Sequence, residues 1–151
     1  MVITFCGHAQ FPKSEEYERK ILAILEEKVG DKTADMYLGD YGEFDRFAYE
    51  CCRKYKEMHP NVMLVFVTPY MTIGYQRGNL EYKKTKYDAI VYPEIGDRPQ
   101  KFAITYRNKY MVEAADYVVA YVDHNWGGAY QTYKHAKRKG KVIIFNLADF
   151  K

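Results

Sequence analysis

The chain has 151 residues, with 23 Lys and Arg against 20 Asp and Glu and a formal net charge of +3. Apolar residues make up 48% and charged residues 28%, a balance that excludes a disordered or fibrous chain. The length leaves room for a single domain over residues 1–151. The longest apolar run, Val62–Val67, falls far short of the roughly 18 residues of a membrane span.

Met1–Cys6 reads as a buried strand that stops at Gly7-His8; it has no basic leader and is no signal peptide. Ser14 then offers an N-cap ahead of Glu15 and Glu16, and Ile21, Leu22, Ile24, Leu25 and Val29 recur at helical spacing until Gly30. Ala34–Leu38 is a second strand, ended by Gly39-Asp40-Tyr41-Gly42. Phe44, Phe47, Ala48, Cys51 and Tyr55 share a face of a helix over Glu43–Met58, which His59-Pro60 terminates. Val62–Val67 has the continuous apolar run of a strand covered on both faces. The stretch Tyr70–Pro99 is rich in Gly, Tyr, Lys and Pro and reads as an insertion or lid, with a short strand at Tyr87–Tyr92. Gln100–Ala115 reads as helix, Tyr117–Val122 as strand, Gly127–Lys139 as helix and Lys141–Leu147 as the last strand.

Strands alternating with helices predict an α/β, Rossmann-like, doubly wound and mainly parallel sheet in a three-layer α/β/α sandwich. In such sheets ligands bind beyond the carboxyl ends of the strands, so the residues after each strand matter most. Three of those turns carry glycine: Gly7-His8, Gly39 to Gly42, and the Gly127-Gly128 pair after Asp123-His124-Asn125-Trp126. Glycine lets backbone N–H groups approach an anion, and a helix N-terminus adds partial positive charge. The convergence predicts a phosphate-bearing ligand. Neither Gly-x-Gly-x-x-Gly nor Gly-x-x-x-x-Gly-Lys-[Ser/Thr] is present.

Arg107-Asn-Lys-Tyr-Met-Val-Glu-Ala-Ala-Asp116, the strand Tyr117–Tyr121, Gly127-Gly128-Ala-Tyr-Gln-Thr132 and Ala136–Ile144 resemble the C-terminal half of the SMF/DprA–LOG (SLOG) superfamily, with the YpsA-like proteins the nearest branch. The strand into Gly7-His8 and the turn Gly39-Asp-Tyr-Gly-Glu-Phe-Asp45 are similar too, so the resemblance spans nearly everything except Tyr70–Pro99. It implies a Rossmann-like fold that binds nucleotides or their derivatives. Members of that superfamily either cleave N-glycosidic bonds of nucleotides, bind single-stranded DNA, or act as ligand sensors. The chain departs from the LOG motif: Trp126 replaces the Pro before the glycine pair, Ala129-Tyr130 replaces Gly-Thr, and Gln131–Lys134 supplies no glutamate. Glycoside cleavage needs a carboxylate.

Glu43, first in its helix after Gly42, is the candidate catalytic carboxylate for an N-glycosidase or phosphoribohydrolase acting on nucleoside monophosphates. In the family pattern Asp45 lies near the site, with a ribose hydroxyl as its natural partner. Arg107 is the candidate phosphate cation, because guanidinium gives bidentate contacts. His8 is placed to donate to a phosphate or base, Thr132 to add a hydroxyl, and Trp126, Tyr41, Tyr70 and Tyr130 to wall a nucleobase. His8 and His124 have no companion at metal-ligand spacing, so neither metal nor cofactor is expected. Cys6, Cys51 and Cys52 read as reduced thiols of a cytoplasmic protein. Lys134–Lys141 holds five cations and reads as a solvated helix end, with Lys83-Lys84-Thr85-Lys86 the candidate companion patch. The expected partners are therefore a nucleotide-like small molecule and a second copy of the chain in a homodimer, not a membrane or, except as a further alternative of the DprA kind, nucleic acid.

Overall fold

The computed structural model describes residues 1–71, 73–93, 99 and 102–148. Its six strands form one sheet in the order β4-β3-β2-β1-β5-β6, and every pairing is parallel. They are β1 (Val2–Gly7), β2 (Ala34–Leu38), β3 (Val62–Val67), β4 (Ala89–Val91), β5 (Tyr117–Tyr121) and β6 (Ile143–Asn146). The helices are α1 (Glu15–Lys28), α2 (Glu43–Met58), the short α3 (Ile73–Tyr75) and α4 (Glu81–Lys83) joined by a π-helical turn Gln76–Leu80, α5 (Ala103–Ala114) and α6 (Gly128–Lys139).

Strand residues alternate between faces, and two cores record that alternation. Ile3, Phe5, Val119 and Tyr121 point to the side covered by Ile21 and Leu25 of α1 and by Phe44, Ala48, Cys51 and Tyr55 of α2. Cys6, Val118 and Ala120 point to the other side and meet Val112 of α5 and Ala136 of α6. The sandwich thus has three layers, as expected from the sequence. Helix α1 starts as its sequence dictates, with the Tyr17 N–H donating to Ser14 Oγ at 3.3 Å.

The stretch Tyr70–Pro99 contributes β4, the edge strand paired with β3, within the strand expected at Tyr87–Tyr92. Asp88 pins that strand: its N–H donates to the Leu64 carbonyl at 2.8 Å, and its carboxylate accepts from the Leu64 N–H at 2.8 Å and from Lys56 at 3.0 Å. The helix expected from Gln100 is observed from Ala103; positions 72, 94–98, 100 and 101 lie outside the described residues.

All three cysteines are free and buried. Burial pushes the Cys6 and Cys51 thiols up to about 12, which leaves them unreactive packing.

Candidate functional site

The chain runs outward from β1 through β2 and β3 to β4, then returns to place β5 on the other side of β1. Connections leaving β1 and β5 therefore diverge, and a crevice opens between them at the carboxyl edge. A cleft of about 710 Å³ occupies that place. The β1 turn (Gly7 to Gln10), the β5 turn with the start of α6 (Asp123 to Thr132, Asn125 and Tyr130 excepted) and the α5 face of Ile104, Thr105 and Asn108 wall it, with Tyr41 and Asp45 contributing from the β2 side. Gly7, His8, Asp45, Trp126, Gly127, Gly128 and Thr132 meet here; Gly39, Gly42, Glu43 and Arg107 do not line it.

Helix α6 presents its N-terminus to the cleft. Gly127 is its N-cap at φ +93, no side chain caps it, and its first turn holds no acidic residue. A Cβ on Gly127 or Gly128 would meet no described atom within 4 Å, so the approach is open. The Thr132 hydroxyl donates back to the Gly128 carbonyl at 2.9 Å, and its side chain is buried at the cleft wall. Partial positive charge at such an end favours an anion.

The β2–α2 turn is arranged differently. Gly42 also caps its helix with a positive φ, +107, but a Cβ there would stand 2.6 Å from Ala9 Cα. The Glu43 N–H donates to the Ala9 carbonyl at 2.8 Å, and the Glu43 carboxylate accepts from the Phe11 N–H at 2.8 Å. Glu43 thus ties two loops together and faces a smaller hollow of about 330 Å³ beside Phe11, Lys13 and Arg46. Gly7 makes room for α2, since a Cβ would fall 2.3 Å from the Phe44 ring.

Arg107 is 1% exposed and lies beneath the cleft. It donates to the Val67 carbonyl at 2.9 Å and to Asn108 Oδ1 at 2.9 Å, and it approaches Asp40 at 3.9 Å. Gly39 leaves space for two side chains at once: a Cβ there would be 3.0 Å from Asp45 Oδ2 and 3.1 Å from Arg107 Cζ. Asp45 Oδ2 accepts the Tyr41 N–H at 2.9 Å. Burial pushes the Asp45 carboxyl up to about 6, outweighing the Arg107 charge and the Tyr41 hydrogen bond. A signal for Arg107's placement exists in the sequence, because Ala103, Arg107 and Met111 form an i, i+4 stripe that faces the sheet. The adjoining positions Ile104, Thr105 and Asn108 face the cleft, and two of them, Ile104 and Thr105, were not singled out by the sequence.

On the cleft's outer side, His8 is buried and accepts the Asp123 N–H at 3.2 Å through Nε2. Its ring stacks on His124 at 3.5 Å and 11°, and His124 meets Trp126 at 4.1 Å and 33°. Burial, then the neighbouring His124, lower the His8 pKa below the usual imidazole value against the opposing pull of Asp123. Asp123, which the sequence did not single out, also bonds His124 Nδ1 at 2.6 Å. Ligand atoms of His8, Asp123 and His124 lie within 4.8 Å of one another. Rings stacked this way cannot both aim a lone pair at one ion, since a metal sits in the plane of each ligating imidazole.

No family model and no curated protein sequence matches the chain. Among solved structures, one match is DNA processing protein A from Helicobacter pylori, described for its single-stranded DNA binding mode, with a TM-score of 0.63 over 99% of this chain. The two are similar in fold. Identity is 14%, and the chain spans 66% of that protein's length. Among the described residues no helix is long and apolar enough to cross a membrane.

Proposed function

We propose that this chain is a SLOG-like, YpsA-like protein whose cleft binds a phosphorylated nucleotide or nucleotide derivative. One observation carries the reading: a cleft at the β1/β5 switch point receives an uncapped, acid-free helix N-terminus. The phosphate sits against the first N–H groups of α6, which Gly127 and Gly128 leave accessible. Asp45, ionised at neutral pH, accepts from a ribose hydroxyl, and Asn108, oriented by Arg107, donates from the α5 side. Arg107 acts from below as a fixed positive charge. The stretch Tyr70–Pro99 serves as a cover or a contact between two copies, and the protein works in the cytoplasm with its thiols reduced. Calorimetric titration with nucleoside monophosphates, ADP-ribose and cyclic nucleotides tests this; binding of at least one at sub-millimolar concentration is expected, and silence across the panel would refute it.

A second reading takes its support from the fold shared with a single-stranded DNA-binding protein. The cations it needs are partly engaged: Lys83 pairs with Asp40 at 3.3 Å, Lys84 with Glu81 at 2.9 Å, and Lys139 with Glu113 at 3.6 Å. Phosphate contacts release counterions, so single-stranded DNA affinity that falls steeply between 50 and 200 mM salt, roughly in proportion to the phosphates neutralised, would favour it.

A further inference from the structure

The aromatic residues named as candidate walls for a base do not share one environment. Tyr70 packs edge-on against Tyr75 at 5.2 Å, and Tyr130 packs against the second core; neither lines the cleft. Trp126 does line it, 67% exposed, and it does not stand alone. Its indole rests on His124, His124 stacks on His8, and His8 meets the Tyr121 ring edge-on at 6.4 Å and 89°. Tyr121 in turn packs on Phe11, at 4.9 Å, and on Tyr17, at 5.5 Å. A column of rings thus runs from the core to the cleft rim and ends in an exposed indole.

We infer that this column is a stacking platform for the nucleobase of the bound nucleotide, with the free face of Trp126 as its terminal step. Trp126 is the residue immediately before Gly127, the N-cap of α6, so a base on the indole lies next to the proposed phosphate seat in the same cleft. A column held at its inner end loses little conformational freedom when a further ring is added, and every base offers a π-face. Purines, with the larger face, stack better than pyrimidines. The hydrogen bonds of Asp123 to His8 and His124 hold the two imidazoles in register beneath the indole.

The inference rests on the nucleotide reading above, so the test separates the two. Wild type and Trp126→Ala are titrated by calorimetry with AMP, CMP and ribose 5-phosphate, which shares the sugar and phosphate and lacks the base. In wild type AMP is expected to bind about tenfold or more tighter than ribose 5-phosphate, and CMP in between. Fluorescence of Trp126, the single tryptophan of the chain, is expected to be quenched by AMP and unchanged by ribose 5-phosphate. Trp126→Ala is expected to bring AMP down to the affinity of ribose 5-phosphate and leave the latter unaltered, with Trp126→Phe retaining most of the AMP preference. Equal weakening of both ligands in Trp126→Ala, or AMP binding that ignores the substitution, overturns the platform and leaves the phosphate reading standing. Absence of binding by all three ligands to wild type overturns both.

Discussion

The β2–α2 and β5–α6 turns begin from the same backbone device. Gly42, at φ +107 and ψ 176, and Gly127, at φ +93 and ψ 173, each cap a helix without a side-chain hydrogen bond. Their surroundings diverge. Around Gly42 the chain supplies its own partners: Ala9 presses on the glycine, Glu43 binds the neighbouring loop, and Asp45 accepts the Tyr41 N–H. Around Gly127 there is open space and no acid in the first helical turn. A glycine-capped helix at a strand end is therefore a candidate anion site only where the protein has not already filled it with its own carboxylates. What a Cβ would strike tells the two uses apart.

The comparison breaks most sharply on alanine substitution. Backbone of this kind costs a non-glycine residue of order 1–3 kcal/mol. Gly42→Ala adds a clash with Ala9 backbone at 2.6 Å, so a loss of about 3 kcal/mol or more is expected, with little soluble protein as the visible outcome. Gly127→Ala meets no described atom within 4 Å, and only the strain of about 1–2 kcal/mol is expected, together with weaker nucleotide binding. Urea unfolding of both variants checks this; equal losses would show that the two turns are packed alike.

The closed turn also carries a shifted titration. Because the folded Asp45 carboxyl titrates near 6 rather than its ordinary 3.8, the native state holds a proton that the unfolded chain has released between those values. Stability contributed by the protonated form is full below about pH 4 and declines as pH rises through about 6, by about 3 kcal/mol in all. Asp45→Asn removes this slope. Unfolding free energies at pH 4.5 and 7 measure it, and the same pH difference in variant and wild type would mean that Asp45 is solvated as an ordinary carboxylate.

Much of the fold was legible because apolar runs and their terminators agree. Ala34–Leu38, Glu43–Met58 and Val62–Val67 have the bounds that Gly30, Gly39, Gly42 and His59-Pro60 imply. β4 was less legible: Tyr87 and Asp88 were read into it, but they precede it, and Asp88 serves as a pin rather than a strand residue. The glycine turns at the site could be read because glycine has local meaning. The stacking of His8 on His124 could not, since it joins residues far apart in the chain and follows only from β5 pairing beside β1. Arg107 illustrates a different limit. Charge suggested an accessible ligand contact, whereas its place in the buried stripe of α5, satisfied by Val67 and Asn108, sets it behind the wall.

The smallest expected effect falls on Glu43, the carboxylate on which an N-glycosidase reading depends. Its oxygen is engaged by the Phe11 N–H, and its position in the first turn of α2 suits the helix dipole. Glu43→Gln keeps an acceptor for Phe11 but loses the charge, so stability is expected to fall by about 0.5–1 kcal/mol. Nucleotide affinity should stay within about twofold, because Glu43 faces the smaller hollow and not the cleft. Base release from nucleoside monophosphates, followed by chromatography, supplies the decisive contrast. Release by wild type that vanishes in Glu43→Gln with binding retained would make this residue catalytic, and the closed turn would then be a reaction site that opens to substrate.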